Sequence, residues 1–111
     1  MLYSKDKTEL EIFPSGKTGE FIIPNNVTAI CDYAFDGCSG LTSVIIPHSV
    51  KFIGDGAFWD CHCLTSIVIP DTVETICVGA FSGCENIVIY TQKGSRADRY
   101  AARYGIKVRY L

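Results

Sequence analysis

Apolar and polar residues recur along this chain with a period of 23 residues. Two segments align without gaps, LTSVIIPHSVKFIGDGAFWDCHC from Leu41 and LTSIVIPDTVETICVGAFSGCEN from Leu64. A third segment, TGEFIIPNNVTAICDYAFDGCSG from Thr18, matches them from Phe21 onward. A fixed period of roughly 20 to 50 residues is typical of a solenoid or another repeat array. The pattern therefore predicts stacked copies of one structural unit.

Each unit is predicted to contain a short strand and a tight turn. Leu41, Val44 and Ile46 are apolar at L-x-x-L-x-L spacing, which favours a strand with these side chains inside. Pro47 ends the strand, because proline has no N–H to donate to a ladder. The later Ala-Phe pair predicts a helical or 3₁₀ turn with the phenylalanine in the interior. A single such coil cannot bury its own apolar face, so we expect the coils to stack with parallel strands.

The amino-terminal residues 1–17 depart from the repeat, as the terminal element of a solenoid does. A strand, a polar turn around Lys5 to Thr8 and a second strand through Leu10 and Ile12 predict a hairpin cap. Three repeats follow, and at 111 residues a single domain is the expected organisation. The predicted boundaries of that domain, 1–111, are a hairpin cap at 1–17, repeats at 18–40, 41–63 and 64–86, and a second cap at 87–111.

The carboxyl-terminal cap is predicted as a shortened strand, a helix and a final strand over residues 106–111. Ser95 is the predicted N-cap, Asp98 stands at the capping-box position and Gly105 is suited to C′. The side chains expected to lie against the last coil recur at three- and four-residue spacings: Ala97, Tyr100, Ala101 and Tyr104. Because both ends of the predicted solenoid carry a capping element, we expect the protein to be a monomer.

Charge is distributed unevenly along the chain, although the net charge is only -2. Residues 88–111 hold six basic side chains and one acidic one, whereas residues 21–87 hold one basic and seven acidic. The basic residues of the tail fit the solvent face of the predicted helix, so no nucleic-acid partner is expected. No apolar run approaches the roughly 18 residues that span a bilayer, so no membrane insertion is expected, and no signal peptide is recognised. The residues alone leave localisation open.

Six cysteines allow three interpretations: buried thiols, disulfides or a metal site. Cys38, Cys61 and Cys84 occupy one repeat position that points inward, where a free cysteine behaves as a small apolar residue. We therefore predict buried reduced thiols, with disulfides and metal as the alternatives. The sequence Cys61-His62-Cys63 is a weak metal candidate, since tetrahedral zinc needs four converging ligands.

No catalytic or cofactor-binding motif is present. The chain lacks G-x-S-x-G, H-E-x-x-H, a P-loop and G-x-G-x-x-G. His48 falls in the same turn as Asn25 and Asp71 of the neighbouring repeats, and acidic residues such as Asp55 fall at turn positions that are usually solvated. We therefore predict no enzyme activity, no cofactor and no metal.

The remaining candidate for function is the surface. Residues between the inward positions of each strand face outward and should stack into ladders. The candidate partner surface consists of the apolar ladder Ile22, Ile45 and Val68, the polar positions Ser43, Ser66, Thr42 and Thr65 beside it, and Trp59. The alternative is that β-branched residues stacked in register serve only to stabilise a parallel sheet.

The repeat L-T-S-V-x-I-P-x-x-V-x-x-I-G-x-x-A-F-x-x-C resembles the BspA-type leucine-rich repeat over residues 18–90. This resemblance implies a right-handed leucine-rich-repeat solenoid of the β-rich α/β horseshoe type, with short parallel strands and helical or 3₁₀ turns. It also implies a secreted or cell-surface, non-enzymatic module that binds a protein, such as a host or matrix protein, in adhesion or host interaction. The alternatives are a structural spacer in a longer surface protein and a metal- or thiol-dependent activity of the cysteines.

Overall fold

The computed structural model describes all 111 residues, which form ten strands and one helix. The elements are β1 Leu2–Tyr3, β2 Glu9–Ile12, β3 Gly19–Ile22, β4 Ala29–Ile30, β5 Leu41–Ile45, β6 Phe52–Ile53, β7 Ser66–Val68, β8 Thr75–Ile76, β9 Val88–Thr91, α1 Arg96–Tyr104 and β10 Lys107–Tyr110.

The strands form two five-stranded sheets that run side by side along the molecule. Sheet 1 has the order β1-β2-β4-β6-β8, and sheet 2 has the order β10-β9-β7-β5-β3. Every strand pair is parallel except the β1–β2 hairpin. Each repeat thus contributes one strand to each sheet, and the predicted leucine-rich-repeat solenoid is confirmed. The caps supply the two additional strands of each sheet.

The second strand of each repeat is the feature of the coil that the sequence pattern did not predict. Phe52 and Ile53 form the whole of β6, with Phe52 outside and Ile53 buried. A strand of two residues has no alternating pattern to recognise. It forms because the equivalent strands β4 and β8 lie on either side and pair with it in register.

The carboxyl-terminal helix follows its predicted capping residues. Ser95 Oγ accepts a hydrogen bond from the Asp98 amide at 3.1 Å, and Gly105 ends the helix with a φ of 68°. The Asp98 carboxylate accepts from the Gly94 amide at 2.7 Å, one residue before the amide of a standard capping box. Tyr104, which was expected to lie against the last coil, packs on the ring of Tyr100 and is 40% exposed.

The interior is organised around a column of phenylalanine rings, one from each successive coil. Phe35 and Phe58 lie with ring centroids 4.6 Å apart, and Phe58 and Phe81 with centroids 5.4 Å apart, in nearly parallel planes. Phe13 extends the column into the amino-terminal cap, and Tyr100 closes its other end edge-on. The inward strand residues surround this column, so the ladder predicted from the period is a continuous core.

Hydrogen bonds between successive turns, some of them accepted by side-chain carboxylates, also connect the coils. We call the segments 31–38, 54–61 and 77–84, which carry the Ala-Phe pairs, the turn column. The Asp32 carboxylate accepts from the Asp55 amide at 2.8 Å, and the Asp55 carboxylate accepts from the Gly79 amide at 3.0 Å. Asp55 therefore connects two coils, although its sequence position indicated only a solvated turn.

Candidate functional site

The outer face of sheet 2 carries the apolar ladder that the repeat period predicts. Ile22 pairs in register with Ile45, and Ile45 with Val68. The alternate residue of each strand is buried in the core, so these three point outward. Ile22 is 61% exposed at the edge of the sheet, and the other two are half-buried. We call this ladder, with its continuation below, the apolar ridge.

The apolar ridge has a fourth member that the sequence did not reveal. Val68 pairs with Tyr90 of β9, which is also half-buried on the outer face. These two residues are 22 positions apart rather than 23. Relative to the preceding repeats, the chain has one residue fewer at this point, because β9 begins directly after Ile87. Aligning VIYTQ with SIVIP of the preceding repeat would have shown it.

A polar row runs parallel to the apolar ridge on the same face. Ser43 pairs with Glu20 on one side and with Ser66 on the other. The Ser43 hydroxyl donates to a Glu20 carboxylate oxygen at 3.4 Å. Thr42 and Thr65 lie beside this row and are exposed, and the Thr65 amide donates to the Thr42 carbonyl at 3.0 Å. The predicted polar positions are thus brought together next to the apolar ridge.

A shallow cavity of about 240 Å³ lies where the strands of sheet 2 end. Its floor is formed by Ile22, Ile45 and Val68 of the apolar ridge, and its wall by the turns that follow each proline. His48 and Asp71 of those turns line it, together with Leu111 at the far end. The sequence indicated a structural role for these turns. Their position at the border of the cavity adds polar and ionisable groups to the candidate surface.

Trp59 lies on a different surface from the other candidate residues. It belongs to the turn column, where its carbonyl accepts from the Gly37 amide at 2.8 Å. Its ring is 39% exposed and packs against Tyr33, with centroids 6.2 Å apart. Gly56 permits this arrangement, because a side chain there would collide with the Tyr33 ring. Trp59 and sheet 2 therefore cannot be treated as one continuous site.

The three cysteines of the inward ladder are buried, and none of the six is in a disulfide. Cys61 Sγ donates to the Phe35 carbonyl at 3.0 Å, and Cys84 Sγ donates to the Phe58 carbonyl at 2.9 Å. Burial raises the pKa of Cys38 to about 12. A hydrogen bond with the Cys84 thiol, together with burial, raises the pKa of Cys61. The Cys38 and Cys61 thiols therefore remain protonated, and all three buried side chains contribute to the core.

Titration of the thiols is expected to distinguish the exposed cysteine from the buried ones. In denaturant and without reductant, six free thiols should react with an aromatic disulfide reagent. In the folded protein, the exposed Cys63 should react first, and Cys38, Cys61 and Cys84 should react only at the rate of unfolding. A count of four or fewer in denaturant would contradict the interpretation as reduced thiols.

The Cys61-His62-Cys63 segment does not converge on a common point. Cys61 is buried, whereas His62 and Cys63 are exposed. His62 Nδ1 lies 3.6 Å from a Glu85 carboxylate oxygen at the surface. The structure contains no group of three or more His, Cys, Asp or Glu side chains arranged to hold a metal ion.

The only helix has nine residues, too few to cross a membrane.

Comparison with known proteins places this geometry in a family. A family model for the BspA type leucine rich repeat region matches residues 7–95, as six copies. No curated protein matches the chain. Among solved structures, a leucine rich cell surface protein from Faecalibacterium prausnitzii A2-165 is 27% identical with a TM-score of 0.46, over 89% of this chain and 39% of that one. The chain thus spans less than half the length of that protein. The family model covers most of the chain, including all three repeats, and the chain belongs to the BspA-type leucine-rich repeat family.

Proposed function

We propose that this protein is a non-enzymatic protein-binding module whose contact surface is the outer face of sheet 2. The observation that carries the proposal is the apolar ridge, which is presented to solvent on a sheet whose strands pair in register. When a partner covers exposed apolar side chains of this kind, their removal from water makes the free energy of binding more favourable. Because the backbone is already ordered, binding there costs little conformational entropy.

The arrangement of polar groups supports a protein partner. The polar row and the turn residues border the apolar ridge on both sides, as the polar rim borders the apolar centre of a protein interface. The face ends in Glu20 at the β3 edge and in Lys107 and Arg109 at the β10 edge. Charges of opposite sign at the two ends can fix the direction in which a partner lies across the strands.

The size of the face limits the affinity that it can supply. Five strands about 4.8 Å apart make the face only about 20 Å wide. A stable interface buries about 800 Å² on each partner, which is more area than so narrow a face supplies by itself. We therefore expect the partner to contact the turns that carry His48 and Asp71 as well as the ridge. Family membership supports a cell-surface or secreted setting and a role in adhesion or host interaction, with a host or matrix protein as the partner.

The competing function within the same fold is a structural spacer, which would use no surface for recognition. A pull-down with immobilised host matrix proteins separates these two functions, because a spacer retains none of them. The competing thiol-dependent or metal-dependent activity has less support, since the three thiols are buried in the core and Cys61 and Cys84 donate to backbone carbonyls. Elemental analysis of the purified protein tests the metal directly.

Ile45→Lys is the substitution that tests the proposed surface. The charged side chain would interrupt the apolar ridge at its centre, and we expect loss of partner binding by at least about tenfold. Stability should change by no more than about 0.5 kcal/mol, because the lysine ammonium can reach water from this half-buried position. Binding is measured by surface plasmon resonance and stability by denaturant unfolding.

The matched control is Phe52→Lys, which places the same charge on the outer face of sheet 1. Phe52 is 37% exposed and lies outside the candidate surface. We expect this variant to bind as the unmodified protein does. An equal loss of binding and stability in Ile45→Lys would show that the ridge only stabilises the sheet.

A further inference from the structure

The turn column ends at the third repeat with a backbone amide that lacks a partner. In the earlier repeats, the Phe35 amide donates to the Ala57 carbonyl at 2.7 Å, and the Phe58 amide donates to the Ala80 carbonyl at 2.8 Å. Phe81 is the next member of this series, and no following turn offers it a carbonyl. Its amide makes no hydrogen bond with the rest of the protein.

A second amide two residues further on is left in the same way. The Gly37 amide donates to the Trp59 carbonyl, and the Asp60 amide to the Ser82 carbonyl, both at 2.8 Å. Gly83 is the next member of this series, and its amide also has no hydrogen-bond acceptor. Unpaired backbone donors are costly when they are removed from water, so a ligand that covers these two amides must offer them acceptors.

Both amides border a groove of about 610 Å³ between the third repeat and the carboxyl-terminal cap. The amides of the earlier repeats point toward the next coil, and this groove occupies the place of that coil. Its walls combine apolar side chains, among them Phe81, Ile87 and Ile106, with polar and charged ones such as Glu85 and Lys107. The volume of the groove is in the range of ligand sites, and it is large enough to hold a few residues of a peptide segment.

We propose that this groove binds a segment of a partner protein folded as a tight turn, with two carbonyls two residues apart. Those carbonyls accept from the Phe81 and Gly83 amides, and an apolar side chain of the segment enters the groove. The preceding junctions define this ligand, since each fills the equivalent place with carbonyls two residues apart: Ala57 with Trp59, and Ala80 with Ser82. The site is distinct from the outer face of sheet 2.

A second copy of this chain does not offer such a turn. The equivalent turn nearest its amino terminus is already occupied, because the Ala34 carbonyl accepts from the Phe13 amide at 2.7 Å. The Phe13 ring also covers Phe35, with centroids 4.6 Å apart. A second copy is therefore not the source of the turn, and the proposed occupant is a different protein.

A cyclic peptide with the sequence of residues 76–84, with both cysteines replaced by serine, is a suitable probe. We expect the amide signals of Phe81 and Gly83 to shift on titration and their hydrogen exchange to slow by at least about tenfold. The Phe58 and Asp60 amides are bonded already and should not change. A cyclic peptide of the same composition in scrambled order should leave all four unchanged.

Two tryptophan variants test whether the groove is the site. Asn86→Trp places a large side chain in the groove at an exposed position, and we expect it to weaken peptide binding by at least about tenfold. Cys63→Trp makes the same change at the equivalent exposed position of the preceding repeat and should bind normally.

The proposal is overturned by an absence of shifts, by shifts confined to sheet 2, by equal binding of the scrambled peptide or by normal binding of Asn86→Trp. Protection of the Phe81 and Gly83 amides that grows with protein concentration alone would also overturn it, by assigning the groove to a second copy.

Discussion

Replacing Phe58 with alanine is expected to destabilise the protein by about 3–5 kcal/mol, which is the usual cost of removing a buried aromatic side chain. Phe58 is fully buried and is the middle ring of the column, between Phe35 and Phe81. Its loss leaves a cavity that both neighbours border. Domains of this size are stable by only about 5–15 kcal/mol, so the variant should unfold at much lower denaturant concentration.

Phe52→Ala removes the same side chain from the outer face of sheet 1 and serves as the control. Phe52 is 37% exposed, and we expect its removal to cost less than about 1 kcal/mol. Equilibrium unfolding in urea compares the two variants. Equal destabilisation would contradict a core built on the stacked rings.

Tyr100→Ala is expected to cost about 3–4 kcal/mol and to loosen the carboxyl-terminal cap. The Tyr100 ring closes the phenylalanine column, with its centroid 6.0 Å from that of Phe81. Its hydroxyl donates to the carbonyls of Cys77 and Val78, at 3.1 and 2.8 Å, next to the last strand of sheet 1. Circular dichroism and urea unfolding measure the loss, and an unchanged midpoint would contradict this role.

Tyr100→Phe separates the hydroxyl from the ring. We expect it to cost about 1–2 kcal/mol at neutral pH, because the ring remains and only the hydrogen bonds are lost. Burial raises the pKa of Tyr100 to about 12, above the value of about 10 in the unfolded chain. The stability that the protonated hydroxyl contributes is therefore complete below pH 10 and is lost as the pH rises toward 12. The phenylalanine variant should lack this part of the pH dependence, and identical profiles for the two proteins would contradict it.

The repeat period alone predicts the solenoid, because equivalent residues must stack when one unit recurs without gaps. From that stacking follow the inward positions of Val44 and Ile67 and the ladder of Ile22, Ile45 and Val68. The caps of α1 were also predictable, since Ser95 and Gly105 have conformational preferences that depend on few neighbours.

The remaining features depend on contacts between coils that no local pattern encodes. The strand β6 is too short to show alternation. Tyr90 was missed for a different reason: a one-residue deletion takes it out of the 23-residue period, and only an alignment of the repeats with a gap places it in the apolar ridge. The connection made by Asp55 depends on an amide of the next coil. The unpaired amides of Phe81 and Gly83 are visible only when the hydrogen bonds of three successive coils are compared.

Photo-crosslinking to a purified partner tests the proposed binding surface most directly. Benzoylphenylalanine placed at Tyr90, within the apolar ridge, should crosslink to the partner, since an aromatic residue already occupies that position. The same amino acid at Phe52, on the outer face of sheet 1, should give no crosslink. Crosslinking from position 52 and none from position 90 would contradict the assignment of the outer face of sheet 2 as the binding surface.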